Sequence, residues 1–423
     1  MLPLALLYHV FPSPKTLQLV QTLVVAAGAW PAYAIASRRL GSQMVGIGFA
    51  ALYLLHASLD SAVTFDFHPV TLSAAFLMFA VYFMLTRQTA WLFVASVLAM
   101  STKEELALSV VVLALCVMVF QRRWRVGGAL LALALLWLVV EIQIMHTASP
   151  IGYSPTIGRY DQLGSSPAAI LAYTLTHPLY VVRTALEHSR LLYMRALMAP
   201  AGYLALFSPL ALLITVPALA INMLSDNPAM YSGFLQYTAE SIPIIIFASI
   251  HGAGVITQVS ARGLEALRRA VPSLSGPSAA LGRWLRVAPA TALAGAVVIV
   301  ALGVSLHDQR DHPYTPIGVG FSWPVTSAHT RAADQLVALI PPGASVSAQS
   351  NLVPHLSNRR AIYLFPYQAS TAQYVLLDTK GERYPLQDAP ATYANDVAGL
   401  LADPAYHVVA TRDGLILLAR VRG

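Results

Sequence analysis

From Leu17 to Leu306 the chain alternates long apolar runs with short polar knots. Runs approaching ~20 apolar residues match the length a helix needs to cross ~30 Å of hydrocarbon, and their repetition predicts a bundle of membrane spans. The pattern places spans at about Leu17 to Ala36, Val45 to Val63, Val70 to Leu85, Trp91 to Ser101, Leu106 to Phe120 and Gly127 to Ile144. An interfacial or re-entrant stretch, Ala168 to Arg190, leads to a hairpin of Leu191 to Phe207 and Pro209 to Leu224. Further spans run from Ile242 to Val259 and from Ala288 to Leu306. Pro31 falls inside the first span, where a neighbouring helix can satisfy the carbonyl it leaves free.

After His307 the rhythm changes to short apolar runs between turn residues. Helices are expected at Ala328 to Ile340, stopped by Pro341-Pro342-Gly343, and around Thr392 to Leu401. Strands are expected at Ser345 to Gln349, Ala361 to Phe365, Tyr374 to Asp378, His407 to Thr411 and Leu415 to Arg420. The predicted fold is therefore an α-helical polytopic membrane protein of about nine spans with a small C-terminal α/β extracytoplasmic domain. The expected boundaries are residues 1–306 for the membrane domain and 307–423 for the soluble one.

Composition agrees: 57% of residues are hydrophobic and 11% charged, where a soluble globule carries about 25% charged residues. The formal net charge of +7 does not point to nucleic acid, because the arginines cluster in short segments between apolar runs, as in cytoplasmic loops. With Arg38 and Arg39 inside, alternation also places Arg87, the cluster from Arg122 to Arg125 and the stretch from Arg262 to Arg286 inside. Asp66, His68, Glu104, Glu105, Asp161, Asp226 and Glu240 then fall outside. Cys116 is the only cysteine, which excludes an intrachain disulfide. Few lysines and many alanines fit a GC-rich bacterial origin, and the expected location is the bacterial inner membrane. Met1 to Phe11 lacks the basic start and cleavage site of a signal peptide and reads as the tail of a segment that began earlier.

Two knots carry the candidate chemistry. In Thr64-Phe65-Asp66-Phe67-His68-Pro69, Asp66 and His68 are two residues apart, so an extended segment points both the same way, as a general base or a substrate-orienting pair. The bland alternative is helix capping by Asp66 with His68 at the interface. In Lys103-Glu104-Glu105, charges close to membrane depth suit a substrate path: Lys103 for a phosphate, Glu104 or Glu105 for a hydroxyl or a cation. Here the alternative is an adjacent ion pair with acids favoured at a helix N-terminus. Arg159, Tyr160 and Asp161 form a loop cluster able to read hydroxyl groups. Arg183, Arg190 and Arg195 could hold a lipid phosphate, although snorkelling to headgroups explains them as well. Glu141 near the end of its span calls for a polar partner, while Asp226 and Glu240 read as solvated loop acids. No recognised metal-ligand spacing and no nucleophile elbow occur.

Several of these segments, Phe11-Pro12-Ser13-Pro14, Phe65-Asp66-Phe67-His68-Pro69, Thr102-Lys103-Glu104-Glu105, Leu206-Phe207-Ser208-Pro209, Asn351-Leu352-Val353-Pro354-His355 and Tyr363-Leu364-Phe365-Pro366, resemble a bacterial multi-spanning family known as domain of unknown function 2079. That family in turn resembles, distantly, the C-type glycosyltransferases. The resemblance implies a polytopic enzyme taking a sugar from a polyprenyl-phosphate donor at the outer face, with membrane lipid and a lipid-linked sugar as partners and no nucleic acid. It also implies a missing first span and acidic outer loop before Met1, the region where the catalytic acid of such enzymes commonly lies. On this reading Asp66, His68 and Glu104 are the catalytic candidates, and Lys103, Glu105, Arg159, Tyr160 and Asp161 contact substrate. No cofactor besides the polyprenyl-phosphate sugar is implied, and the metal requirement is open. The rivals are a transporter or lipid-linked-substrate carrier, for which the breaks at Pro31, Pro209 and Pro217 would suit alternating access, and a noncatalytic envelope-assembly partner.

Overall fold

The computed structural model describes residues 2–148, 157–270, 289–312 and 315–421. They form two compact units: residues 18–321, and residues 2–17 together with 322–423. Residues 271–288, the greater part of the arginine-bearing stretch from Arg262 to Arg286, lie outside the described residues.

Helix α1 (Leu2–Val10) belongs to the second unit, and α2 (Pro14–Ala27) leads into the first. The ladder between α2 and α3 (Ala29–Leu40) breaks at Gly28. There the Val25 carbonyl accepts both from the Gly28 N–H and from the Tyr53 hydroxyl, each at 3.0 Å. A Cβ on Gly28 would stand 2.3 Å from that hydroxyl, so the close approach requires glycine. Pro31 itself lacks the N–H that would reach the Ala27 carbonyl four residues back.

Helix α4 (Gln43–Leu54) bends by 49° into α5 (Ala57–Thr64). A 3-10 turn, Pro69–Leu72, starts α6 (Ser73–Leu85); α7 (Thr89–Met100), α8 (Leu106–Val119) and α9 (Trp124–Ala148) follow. Then come α10 (Pro167–Thr176), α11 (Pro178–Ala185), α12 (His188–Met198), α13 (Pro209–Leu212), α14 (Val216–Met223), α15 (Ile242–Ala270) and α16 (Pro289–Arg310).

Among the described residues, four helices are long and apolar enough to cross a membrane: Pro14–Leu40, Trp124–Ala148, Ile242–Gly263 and Thr291–Arg310. The bent pair α4–α5 makes up to five. The expected spans at Val70, Trp91, Leu106 and Pro209 correspond to shorter apolar helices of 10–17 residues. The expected span Leu191 to Phe207 is not one helix. It stops at Met198 and continues as 3-10 turns at Ala199–Ala201 and Leu204–Phe207, because Pro200 cannot sustain the ladder and Gly202 and Tyr203 take φ of +61° and +56°.

Helix α15 is central: it packs on α3, α6, α16 and the turn Leu204–Phe207. Ile242, Ile244, Ile245 and Ile246 are all buried, the pattern of a helix enclosed on every side. At Gly252 a Cβ would lie 1.9 Å from the Leu204 carbonyl oxygen, so the turn rests directly on the helix backbone.

The second unit holds a five-stranded sheet in the order β2-β1-β3-β5-β4, with β1 (Val346–Ala348), β2 (Ile362–Leu364), β3 (Tyr374–Asp378), β4 (Tyr406–Arg412) and β5 (Leu415–Arg420). The first three pair in parallel; β5 runs antiparallel to β3 and β4. Helix α17 (Ala328–Ala338) covers one face through Ala332 and Leu336 against Leu376 and Leu417. Helix α18 (Pro390–Ala402) covers the other through Tyr393 and Leu400 against Val375, Leu377 and Leu418. Helices on both faces explain why Tyr374 to Asp378 reads as a continuous apolar run. The helices and strands expected after His307 are all present, shifted by no more than about two residues at their ends. At one end of this sheet His329 sits between two carboxylates: Nε2 is 3.0 Å from Asp378 Oδ2, and Nδ1 is 3.0 Å from Asp413 Oδ2.

Candidate functional site

The two knots converge on one segment, residues 234–241. Its 3-10 turn Gln236–Thr238 packs against α5 and against the turn Pro69–Leu72, the elements that flank Asp66 and His68. From the other side Lys103 stands over the Tyr237 ring, 5.7 Å from its centroid, and 4.0 Å from Glu240 Oε1. Asn222 fixes the segment by donating to the Tyr237 carbonyl at 2.7 Å and to the Tyr193 hydroxyl at 2.9 Å. Leu235 holds φ +64° and ψ −174°, a region populated almost only by glycine and found where structure is held under strain for a purpose.

Lys103 forms an ion pair with Glu105. Glu240 is 1% exposed and, as a carboxylate, neither of its oxygens accepts a hydrogen bond. Burial pushes its carboxyl well above the usual range, the nearby Glu105 adds to this, and Lys103 only partly opposes it. Two acids that close favour sharing one proton. A proton kept on Glu240 can be donated to Glu105. Burial pulls the Lys103 ammonium down, but Glu240, Glu105 and Glu104 outweigh it and hold the group above its ordinary value. The site thus sets a lysine, ion-paired with Glu105, beside a buried acid whose ionisation is disfavoured. The Glu104 side chain, half-buried, makes no hydrogen bond or ion pair among the described residues.

The reading of Glu240 as a solvated loop acid is overturned: the turn before it tucks under the bundle and buries it. Asp226 is exposed. The other candidates divide. Arg159 also lies over the Tyr237 ring, 5.7 Å from its centroid. The Tyr160 hydroxyl donates to the Ile221 carbonyl at 3.0 Å, and Asp161 is exposed. The Asp66 carboxylate is exposed and bonds to nothing described, while His68 Nδ1 lies 3.1 Å from the Asp66 backbone carbonyl, not from its carboxylate. His68 stacks on Phe65 and its N–H is held by Gln21 at 3.0 Å. Asp66 does not cap the following turn, whose N-cap is His68 without a side-chain bond. A cleft of about 320 Å³ opens beside this knot, lined by Ser61, Thr64, Phe65, Ser232 and Leu235 among others.

Arg190 is also corrected. It is 8% exposed, donates to the carbonyls of Met223 and Ser225 at 3.1 Å each, and covers the Tyr231 ring at 3.4 Å. It braces the loop rather than snorkelling, whereas Arg183 and Arg195 are exposed. One carboxylate oxygen of Glu141 is buried without a hydrogen-bond partner. Among the described residues no three His, Cys, Asp or Glu side chains gather as metal ligands. Sequence reasoning missed Tyr193, Asn222 and Tyr237 as parts of this site. The one available signal was at Glu240, an acid just ahead of an apolar run in the same way as Glu105.

No curated protein matches the chain significantly. Among solved structures it is similar to ArnT from Cupriavidus metallidurans, solved bound to undecaprenyl phosphate. The TM-score is 0.44 and the identity 16%, covering 98% of this chain and 86% of that one. A family model matches residues 1–417, and with its apolar helices and buried charged cluster the chain belongs to the membrane-protein family described as "Predicted membrane protein (DUF2079)".

Proposed function

We propose that this protein is a glycosyltransferase-like membrane enzyme that moves a sugar from a polyprenyl-phosphate donor at the outer face of the bacterial inner membrane. Glu240 carries the reading: a buried acid that accepts no hydrogen bond as a carboxylate among the described residues, at the outer limit of ion-pair distance from a lysine that already has another acid. Such groups are rare near a membrane unless they serve a substrate path, and this set has the parts glycosyl transfer needs. Lys103 receives the donor phosphate as a point charge. Glu104, free of partners, takes the proton of the acceptor hydroxyl. The acceptor oxygen bonds to the anomeric carbon as the bond from that carbon to the phosphate oxygen breaks, and the phosphate leaves with the electron pair. Glu240 and Glu105 set the charge around Lys103 and hold a proton available to the leaving group. Arg159, Tyr160 and Asp161 border the sugar, and Asp66 and His68 border the acceptor along the neighbouring cleft.

In this proposal residues 1–306 form the membrane domain of about nine spans, the shorter helices included, and residues 307–423 the outer domain. The separation of basic loops from acidic ones supports that orientation. The test uses the full chain in sealed proteoliposomes with a labelled polyprenyl-phosphate sugar. Glu104→Gln is expected to lower product formation by about 10²–10⁴-fold with donor binding retained, whereas Lys103→Met weakens donor binding. Label crossing the bilayer with no covalent product would instead identify a carrier and overturn the enzyme reading.

A further inference from the structure

A second polar cleft lies where α3 and α6 end against the middle of α15. It encloses about 260 Å³ and is lined by Arg38, Arg39, Tyr82, Thr86 and His251 over a floor of Ile35 and Leu85. His251 is nine residues into α15 from Ile242, which at 1.5 Å per residue puts this cleft about 14 Å along the helix from the Lys103 cluster.

Both arginines are exposed and line the cleft. Arg38 lies over the Tyr82 ring on α6, its Cζ 5.4 Å from the centroid. Arg39 crosses α15 at Gly254, where a Cβ would stand 3.2 Å from its Nε. Neither guanidinium has a carboxylate within ion-pair distance or a hydrogen-bond acceptor among the described residues. The His251 ring meets the edge of Phe247, at 4.7 Å, and forms no hydrogen bond among the described residues. The Tyr82 hydroxyl likewise makes no hydrogen bond among the described residues, whereas the Thr86 hydroxyl donates to the Tyr82 carbonyl at 2.9 Å. Two forked cations, an imidazole and a phenol therefore converge without an anion.

Arginines at a helix C-terminus are favoured by the helix dipole and commonly extend to lipid headgroups. That account needs no concavity, and it does not bring both guanidiniums, an imidazole from a third helix and a phenol around one space. The space is below the roughly 300–1,000 Å³ of drug-sized pockets and suits a single compact anion. Guanidinium pairs with phosphate through two parallel N–H···O bonds, and a flanking donor from Tyr82 or His251 completes the oxygen set.

We propose that the Arg38–Arg39–His251 cleft is a phosphate-binding site, filled by the headgroup of an anionic phospholipid or by a phosphate-bearing soluble molecule. It is independent of the glycosyl-transfer reading. The test compares the native chain, Arg38→Gln/Arg39→Gln, Arg38→Lys/Arg39→Lys and the control Arg87→Gln, which removes an exposed arginine side chain, without a hydrogen bond among the described residues, from the loop after α6. Each is placed in nanodiscs of phosphatidylcholine with or without phosphatidylglycerol, and retained lipid is counted by native mass spectrometry. Inorganic phosphate is titrated separately by calorimetry.

Selective retention of phosphatidylglycerol or saturable phosphate binding is expected for the native chain and Arg87→Gln. The Gln pair should be weaker by about tenfold or more, and the Lys pair intermediate because it keeps charge but loses the fork. Retention of lipid without phosphate binding identifies a headgroup; phosphate binding that expels the lipid identifies a soluble ligand. Equal binding by the native chain and the Lys pair, which preserves the charge and the fold, overturns the proposal. So does the absence of binding in both arms.

Discussion

Glu240 gains its character from its surroundings alone. In the unfolded chain it titrates as an ordinary glutamate; in the fold burial keeps it protonated far above that point. Between its unfolded and folded pKa values the native state therefore binds more protons than the unfolded state, so stability must fall as pH rises through that window. Glu240→Gln, which mimics the protonated acid, is expected to flatten that slope and to leave stability at low pH nearly unchanged. Thermal unfolding of the detergent-solubilised chain measured across pH checks this. A slope as steep as in the native protein would mean that Glu240 ionises freely. The same residue marks where reading the sequence stops. An acid after Tyr237-Thr238-Ala239 looks like any loop acid, and only the packing of its turn against α5 and the Pro69–Leu72 turn takes it out of water. Lys103, Glu104 and Glu105 were legible because three adjacent charges opening an apolar run are conspicuous by themselves.

At the scale of elements, α15 is held by backbone contact as well as by side chains. Gly252→Ala forces a methyl onto the Leu204 carbonyl and is expected to destabilise by about 1–3 kcal/mol. On the same helix Gly263 has nothing near its missing Cβ, so Gly263→Ala should be neutral or stabilising by up to about 1 kcal/mol. Chemical denaturation of both variants separates the two. In the sheet, His329 has a carboxylate at each ring nitrogen, so both nitrogens must donate. Its hydrogen bond to Asp378, then that to Asp413, raise its pKa. Burial alone would raise the Asp378 carboxyl, but donors from His329, Asn351 and the Lys380 N–H hold it below the usual range. The stabilisation from a raised histidine is complete below the unfolded pKa near 6.5 and is lost as pH rises through the folded value. Amide exchange at Lys380 and Gly381, whose N–H groups bond Asp378 Oδ1 at 3.0 Å, is expected to quicken over that range. His329→Gln should remove this change. The histidine was visible in the sequence; the clamp was not, because Asp378 and Asp413 reach it only after β3 and the β4–β5 turn align.

For the whole molecule, the proposed orientation puts the Lys103 cluster and the knot holding Asp66 and His68 on one side of the membrane. In a Cys116→Ala background, cysteines at positions 66 and 104 are expected to react with an impermeant reagent from the outer side, and one at position 87 only after permeabilisation. Opposite accessibility at 66 and 104 would separate the knots and remove the shared site. Helix count shows the same division at larger scale. Runs such as Gly127 to Ile144 identify themselves by length, whereas Leu191 to Phe207 has the right composition and breaks where Pro200 and Gly202 let the chain turn.

The order of apolar runs and turn residues determined by itself that the chain is a helical membrane protein ending in a small α/β unit, since burial of apolar surface and backbone periodicity are local properties of sequence. Which acid is buried, which arginines share a cleft and which carboxylates clamp a histidine were decided only by tertiary structure. Charge acquires its energy from the groups and the dielectric around it, and those are assembled from segments far apart in the chain.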